Sequence, residues 1–219
     1  MISIDFHSHT SVSPDSSTSP EQFLLAARRR GLDRVVVTDH NTIAGALAAR
    51  LLDPERIIVG EEIKTRRGEL LAAFVTEEVP RGLPPQEAIR RLRDQGAFIS
   101  VSHPFDIRSG AWALADLLEI APLVDAIEVF NSRCMKPDAN SLAASFALQH
   151  NLPGTAGSDA HAAFELGRAR LLLLPFDGPD GLRAVIREGK VQGRLSPFWV
   201  LFFSWHARWK KMKAGSSSQ

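Results

Sequence analysis

ISIDFHSHT, residues 2–10, starts as an apolar alternation and ends in two imidazoles. Ile2–Phe6 reads as a short strand, and His7 and His9 stand at its end. In an extended chain residues i and i+2 share a face, so both rings can reach one ion. Four other stretches repeat the theme. Thr38-Asp39-His40 and Ser102-His103-Pro104 each bring an imidazole directly after an apolar run. Gly60-Glu61-Glu62 brings carboxylates after Ile57–Val59. Ser158-Asp159-Ala160-His161 sets a carboxylate and an imidazole two positions apart. Any one of these could be an ordinary polar cap. Five of the seven histidines at strand ends, with acids beside them, point to a shared cation site.

Working outward, short β-branched runs alternate with longer amphipathic stretches. Strands are expected at Ile2–Phe6, Arg34–Thr38, Arg56–Gly60, Leu70–Val75, Ala97–Ser102, Ala126–Phe130, Gly154–Gly157 and Ala169–Leu173. Helices are expected at Pro20–Arg30, Ile43–Leu51, Pro85–Gln95, Trp112–Glu119, Asp138–His150 and Gly178–Glu188. Ser19-Pro20-Glu21 is a helix start with a capping hydroxyl and proline in the first turn. Gly31 and Gly96 are helix stops. Such alternation predicts parallel strands with helices outside them. Periodicity alone does not separate a closed barrel from an open doubly wound sheet. In either, the C-terminal strand ends open on one face, where distant residues converge.

The chain has 219 residues, 44% of them hydrophobic and 23% charged, which suits one folded domain. A net charge of +1 makes no global claim on nucleic acid. One cysteine, Cys134, excludes an internal disulfide, and the N-terminus lacks a basic segment followed by an apolar run. A cytoplasmic setting is the expectation. Residues 1–195 are expected to form the barrel domain, and residues 196–219 a C-terminal aromatic and basic segment.

The ordered motifs resemble the PHP (polymerase and histidinol phosphatase) superfamily. The resemblance runs through Asp5-Phe6-His7-Ser8-His9-Thr10, Ser13-Pro14-Asp15-Ser16, Thr38-Asp39-His40-Asn41-Thr42, Gly60-Glu61-Glu62-Ile63, Ser102-His103-Pro104, Ile127-Glu128-Val129-Phe130-Asn131 and Gly157-Ser158-Asp159-Ala160-His161. It implies an α/β fold, a distorted (β/α)7 TIM-like barrel, holding two or three divalent ions (Mn, Zn or Fe). It also implies a ligand grouping. His7, His9, Glu62 and Asp159 would hold one ion; Glu62 and His103 a second; Asp15, His40 and His161 a third. Glu62 is preferred to Glu61 because the family's acid directly precedes the isoleucine. Where many relatives carry another histidine ligand, this chain has Glu69, which becomes the candidate carboxylate ligand in that place.

The implied chemistry is hydrolysis of a phosphomonoester or nucleotide by a metal-bound hydroxide. His103, His161 and Asp159 are the catalytic candidates. Arg108, Arg133 and Asn131 are the substrate-binding candidates, since arginine can clamp a phosphate with two hydrogen bonds. Glu128 is a candidate outer partner of a ligand. Only 25 positions separate His103 from Glu128, which leaves no room for an inserted cap and predicts a shallow, open mouth. Alternatives are a 3′-to-5′ exonuclease, a metal-dependent amidohydrolase and a non-catalytic metal-binding scaffold. Nucleic acid is admitted as a partner but not favoured.

Residues 197–213 hold Trp199, Trp205 and Trp209, with Phe198, Phe202, Phe203, Arg208, Lys210, Lys211 and Lys213. The favoured expectation is a final helix packing its aromatics on the barrel. Peripheral contact with a membrane or a protein partner is the alternative.

Overall fold

The computed structural model describes residues 1–106 and 111–216. Among the described residues, nine strands form one mixed sheet: β1 (Ile2–Asp5), β2 (Arg34–Val37), β3 (Ile57–Lys64), β4 (Glu69–Ala73), β5 (Phe98–Val101), β6 (Ala126–Asn131), β7 (Gly154–Gly157), β8 (Ala169–Leu173) and β9 (Lys190–Gly193). The helices are α1 (Pro20–Arg29), α2 (Ala44–Leu52), α3 (Pro85–Asp94), α4 (Leu114–Ile120), α5 (Ala139–Gln149), α6 (Gly178–Val185) and α7 (Val200–Ser216). The strand order is β7-β6-β5-β4-β3-β2-β1-β8-β9.

The first seven strands nearly close into a ring. Past the end of β1 the chain runs beside β7: Phe6 N donates to Ala156 O (3.1 Å), Asp159 N to His7 O (2.8 Å) and His9 N to Ala160 O (2.9 Å). The expected seven-stranded barrel is therefore present, and its seam lies between the HxH and DxH segments. Gly157 makes the close approach possible, because a β-carbon there would lie 2.6 Å from the His7 backbone nitrogen.

The expectation of parallel strands throughout is corrected in two places. β4 is antiparallel to both β3 and β5, and β8 is antiparallel to β1 and β9. For β4 the reason is length. β3 continues to Lys64, leaving residues 65–68 as the connection, far shorter than a parallel crossover requires. The reversal has a functional consequence: Glu69, the first residue of β4, lies at the same end as the last residues of its neighbours.

Two apolar layers hold the barrel. Val35, Val37, Ile57 and Val59 face outward and pack with Phe23 of α1, Ala46 of α2, Leu92 of α3, Leu117 of α4 and Phe146 of α5. The alternate positions Val36 and Ile58 join Ile4, Phe6, Phe98 and Ala156, together with Leu171 of β8 and Leu182 of α6. Phe6 and Phe98 meet edge to face at 5.6 Å. Arg183 of α6 ties this lower end shut through Asp125 and the carbonyls of Gly96 and Ala97.

Local signals behave as their chemistry requires. Ser19 and Gln22 form a capping box at α1, with Pro20 in the first turn. Gly31 and Gly96 end α1 and α3 at φ 63 and 74°.

A final correction concerns α7. It lies on the barrel as a helix but packs only part of its aromatic set there. Its buried stripe is Val200, Ser204 and Ala207, while Phe202, Trp205 and Trp209 are exposed. Phe203 of α7 and Trp199 just before it find an aromatic neighbour on the barrel, Phe164.

Candidate metal centre

Strand ends deliver most side chains at the mouth, and Asp15 comes from the loop between β1 and α1. His7 and His9 follow β1, His40 follows β2, Glu62 lies in β3, Glu69 starts β4, His103 follows β5, Glu128 and Asn131 belong to β6, and Asp159 and His161 follow β7. Pleating decides between the adjacent acids. Glu62 points at the imidazoles, whereas Glu61 points away and accepts from Val79 N at 3.0 Å.

The inward-facing atoms converge. His7 Nε2 lies 3.1 Å from His9 Nε2, and His9 Nε2 lies 3.2 Å from Asp159 Oδ1. Glu62 Oε2 is 3.3 Å from His7 Nε2, 3.5 Å from His9 Nε2 and 2.9 Å from His40 Nδ1. On one flank, Asp15 Oδ2 is 3.3 Å from both His40 Nε2 and His161 Nε2. On the other, His103 Nε2 is 3.2 Å from Glu62 Oε1 and 3.7 Å from Glu69 Oε2. Among the described residues, three trios can each offer atoms to a single ion: His9, His40 and His161; His7, Glu62 and His103; His7, His9 and Asp159.

The imidazoles are oriented from behind. His7 Nδ1 pairs with Glu128 Oε1 (3.0 Å), His9 Nδ1 with Ser13 Oγ (3.3 Å), and His161 Nδ1 with the Asp159 carbonyl (2.8 Å). Tying one ring nitrogen outward turns the other inward, the arrangement metal-binding imidazoles adopt. Despite these close approaches, three buried polar atoms at the centre form no well-aligned hydrogen bond: Glu62 Oε2, Asp15 Oδ1 and His103 Nδ1. Leaving such atoms unsatisfied is costly unless something else binds them. Asp159 holds its carboxylate inward from a left-handed backbone, φ 51°, an uncommon conformation for a residue with a side chain.

The electrostatics are those of a dense, self-neutralising cluster. Burial opposes charge on His7, yet Glu62, Asp159 and Glu128 outweigh it and hold the imidazole well above its usual range. His40 rises likewise against burial, beside Glu62 and Asp15. His103, buried against Glu62, is lifted to about 9. His9 goes the other way, pushed down to about 3 by burial and by its neighbours His161 and His40. Burial disfavours ionisation of Glu62 and Asp159, but the imidazoles keep both carboxyls well below the ordinary range. Glu69 is pushed up to about 7 by burial and by the charge on Glu62.

The substrate-binding candidates fall differently. Arg133 is buried, and its guanidinium grips Glu165 with two bonds (Nε to Oε2, 2.7 Å; Nη2 to Oε1, 3.0 Å). It also donates to Ser204 Oγ (2.9 Å) and Val200 O (3.2 Å) of α7. Asn131 spends its amide hydrogens on Glu128 Oε2 (3.2 Å) and Asp159 Oδ2 (3.3 Å). Arg108 lies outside the described residues.

Sequence reasoning missed the cations that α7 brings. Arg208 donates to Asp15 Oδ2 at 2.6 Å, and Lys211 donates to the carbonyls of Ser11, Ser13 and Ser16. The basic run was visible, but its target was not. The expected shallow, open mouth is thereby corrected: α7 crosses it, and Leu201, Ser204, Trp205 and Arg208 line the same opening as Glu69 and His103. Asp5 was also missed as a support. It accepts from Ser158 N (2.8 Å), Ser158 Oγ (2.5 Å) and Gly167 N (2.8 Å), pinning the barrel seam.

Comparison with known proteins bears on this arrangement. A family model described as PHP-associated matches residues 137–191. Two uncharacterized proteins of Methanocaldococcus jannaschii are each 35% identical. One aligns over 58% of this chain and 81% of its own length, the other over 83% and 75%. A crystal structure from Bacteroides vulgatus, of a two-domain protein described as containing a predicted PHP-like metal-dependent phosphoesterase, superposes with a TM-score of 0.70 at 21% identity. That match covers 94% of this chain and 69% of that one.

Proposed function

From the premise that this chain belongs to the PHP superfamily, we propose that it is a metal-dependent phosphoesterase that hydrolyses a phosphomonoester or nucleotide at the barrel mouth. One observation carries the reading: inward-turned imidazoles surround buried carboxylate oxygens that lack hydrogen-bond partners. Mixed nitrogen and oxygen donors of this kind fit Mn, Zn or Fe. His7, His9, Glu62 and Asp159 would hold one ion. Glu62, His103 and Glu69 would hold a second, and Asp15, His40 and His161 a third. Divalent ions so held would supply Lewis acidity for a phosphoryl oxygen and a nucleophile near neutral pH.

The chain's own residues do the rest. Glu128 and Asn131 fix the direction of His7 and Asp159 and leave neither free to swing. His103 turns Nε2 toward Glu62, so that nitrogen would meet the second ion and give up its proton as the ion binds. His103, His161 and Asp159 are the proposed catalytic residues, acting through the ions they would hold. Lys64 and Arg208 at the rim bring positive charge toward an incoming phosphate. Arg133 and Asn131 act here as supports for the mouth rather than as direct clamps, because their donors are already engaged.

The test is metal analysis of purified protein, followed by a screen of phosphate esters with Mn(II) or Zn(II) added. Chelation should abolish phosphate release and either ion should restore it. Glu62→Gln should lower the rate by at least about a hundredfold, since charge stabilisation dominates such reactions. Absence of turnover with every ester under both ions would overturn the reading.

A further inference from the structure

α7 presents two opposite faces. Val200, Ser204, Ala207 and Lys211 recur at helical spacing and sit against the barrel. The opposite face continues from Phe198 through Phe202, Trp205, Trp209 and Met212. These side chains are 67, 66, 65, 42 and 75% exposed. A stripe of large apolar side chains left in water is unusual on a folded protein and marks a contact surface.

The charge around it identifies the occupant. From Pro197 to the last residue there is no Asp or Glu; of the four cations there, Arg208 and Lys211 turn to the barrel, while Lys210 and Lys213 stand beside the ridge. Lys213 lies over the Trp209 ring at 4.0 Å, so charge and aromatic surface are presented together. A second copy of this face would set like charges against one another. A single nucleic-acid strand takes aromatics from a groove, whereas these stand on the outer ridge of a helix. A ridge carrying tryptophan and phenylalanine between lysines matches a planar anionic lipid surface. Among the described residues no helix is long and apolar enough to cross a membrane, so contact from this ridge would be peripheral.

We propose that α7 docks the protein on an anionic membrane surface, through Phe198, Phe202, Trp205, Trp209 and Met212 with Lys210 and Lys213, setting the barrel mouth beside the lipid. The mouth follows because Trp205 and Arg208 line its opening. The binding itself does not depend on the hydrolytic reading, and its readout is independent of catalysis.

The full chain is sedimented with vesicles of phosphatidylcholine alone, and with equal parts phosphatidylcholine and phosphatidylglycerol, at low and high salt. Binding to the anionic vesicles, weakened by salt and absent with phosphatidylcholine alone, is the expected result. The triple variant Phe202→Ser, Trp209→Ser, Met212→Ser should lose about tenfold or more in partition. Lys210→Glu with Lys213→Glu, which keeps the apolar stripe, should also lose at least about tenfold. Circular dichroism and melting temperature check that both variants fold. Failure to bind either vesicle overturns the proposal, as does binding that the triple variant retains. Dimerisation that disappears in the triple variant, or binding to oligothymidylate, without vesicle binding also overturns it.

Discussion

Glu128→Gln isolates the support behind the ligands without touching a proposed ligand. Glu128 Oε1 accepts from His7 Nδ1 at 3.0 Å. Its Oε2 accepts the His103 N–H at 2.8 Å and the Asn131 amide at 3.2 Å. An amide has one accepting side, so glutamine cannot serve all three donors. With its oxygen toward His7, its NH2 confronts two other donors. Turned over, its NH2 faces His7 Nδ1, and the imidazole proton must move to Nε2. That nitrogen is the one facing Glu62 and Asp159. Either arrangement forfeits a charge-assisted hydrogen bond, about 1.5–3 kcal/mol. Outer partners of ligating histidines typically govern about 10–100-fold in metal affinity, roughly 1.4–2.7 kcal/mol. The two ranges overlap, so we expect a loss of about thirtyfold. Competition with a chromogenic chelator measures it, using Mn(II) or Zn(II), and the ion-free melting temperature monitors the fold. Affinity within about twofold of the parent, for both Glu128→Gln and Glu128→Ala, would refute the claim that Glu128 holds His7 for an ion.

The remaining predictions concern the frame and the protons. Arg133→Ala strands Glu165 in the interior, where its side chain is fully buried. Removing one partner of such a pair costs about 3–5 kcal/mol, a fall in Tm on the order of 10 °C for a chain of this size; an unchanged melting curve would deny the pair its structural role. Gly157→Ala pushes a β-carbon onto the His7 backbone at the barrel seam. It should lower both stability and ion content, and a variant that keeps full ion content would contradict the seam geometry. Ion binding must compete with protons, because His103 stays protonated up to about 9 in the ion-free cluster. Its proton is present below that value and lost above it, so apparent ion affinity should climb about tenfold per pH unit per proton released, then flatten above about pH 9. Titration calorimetry in buffers of different ionisation enthalpy counts those protons, and a flat profile would be inconsistent with displacement.

The positions of the first eight strands, and the histidines that follow several of them, were legible from the chain alone because both are local; the short, exposed β9 (Lys190–Gly193) was not. A short β-branched run followed by a polar turn is set by near neighbours in sequence, as Ile2–Phe6 before His7 illustrates. The barrel, and the ligand grouping proposed for it, came from the order of motifs, a resemblance spanning most of the domain. What local pattern could not supply depended on partners distant in sequence. The reversal of β4, and with it the position of Glu69 at the mouth, followed from a four-residue connection that became visible only once β3 was seen to reach Lys64. Which nitrogen each imidazole turns inward is decided by Glu128, Ser13 and the Asp159 carbonyl. The fate of Arg133 is decided by Glu165, and the roofing of the site by Arg208 meeting Asp15 across 193 positions. A side chain's chemistry is written in its residue type, but the atoms it faces are chosen by packing, and only the folded chain makes that choice.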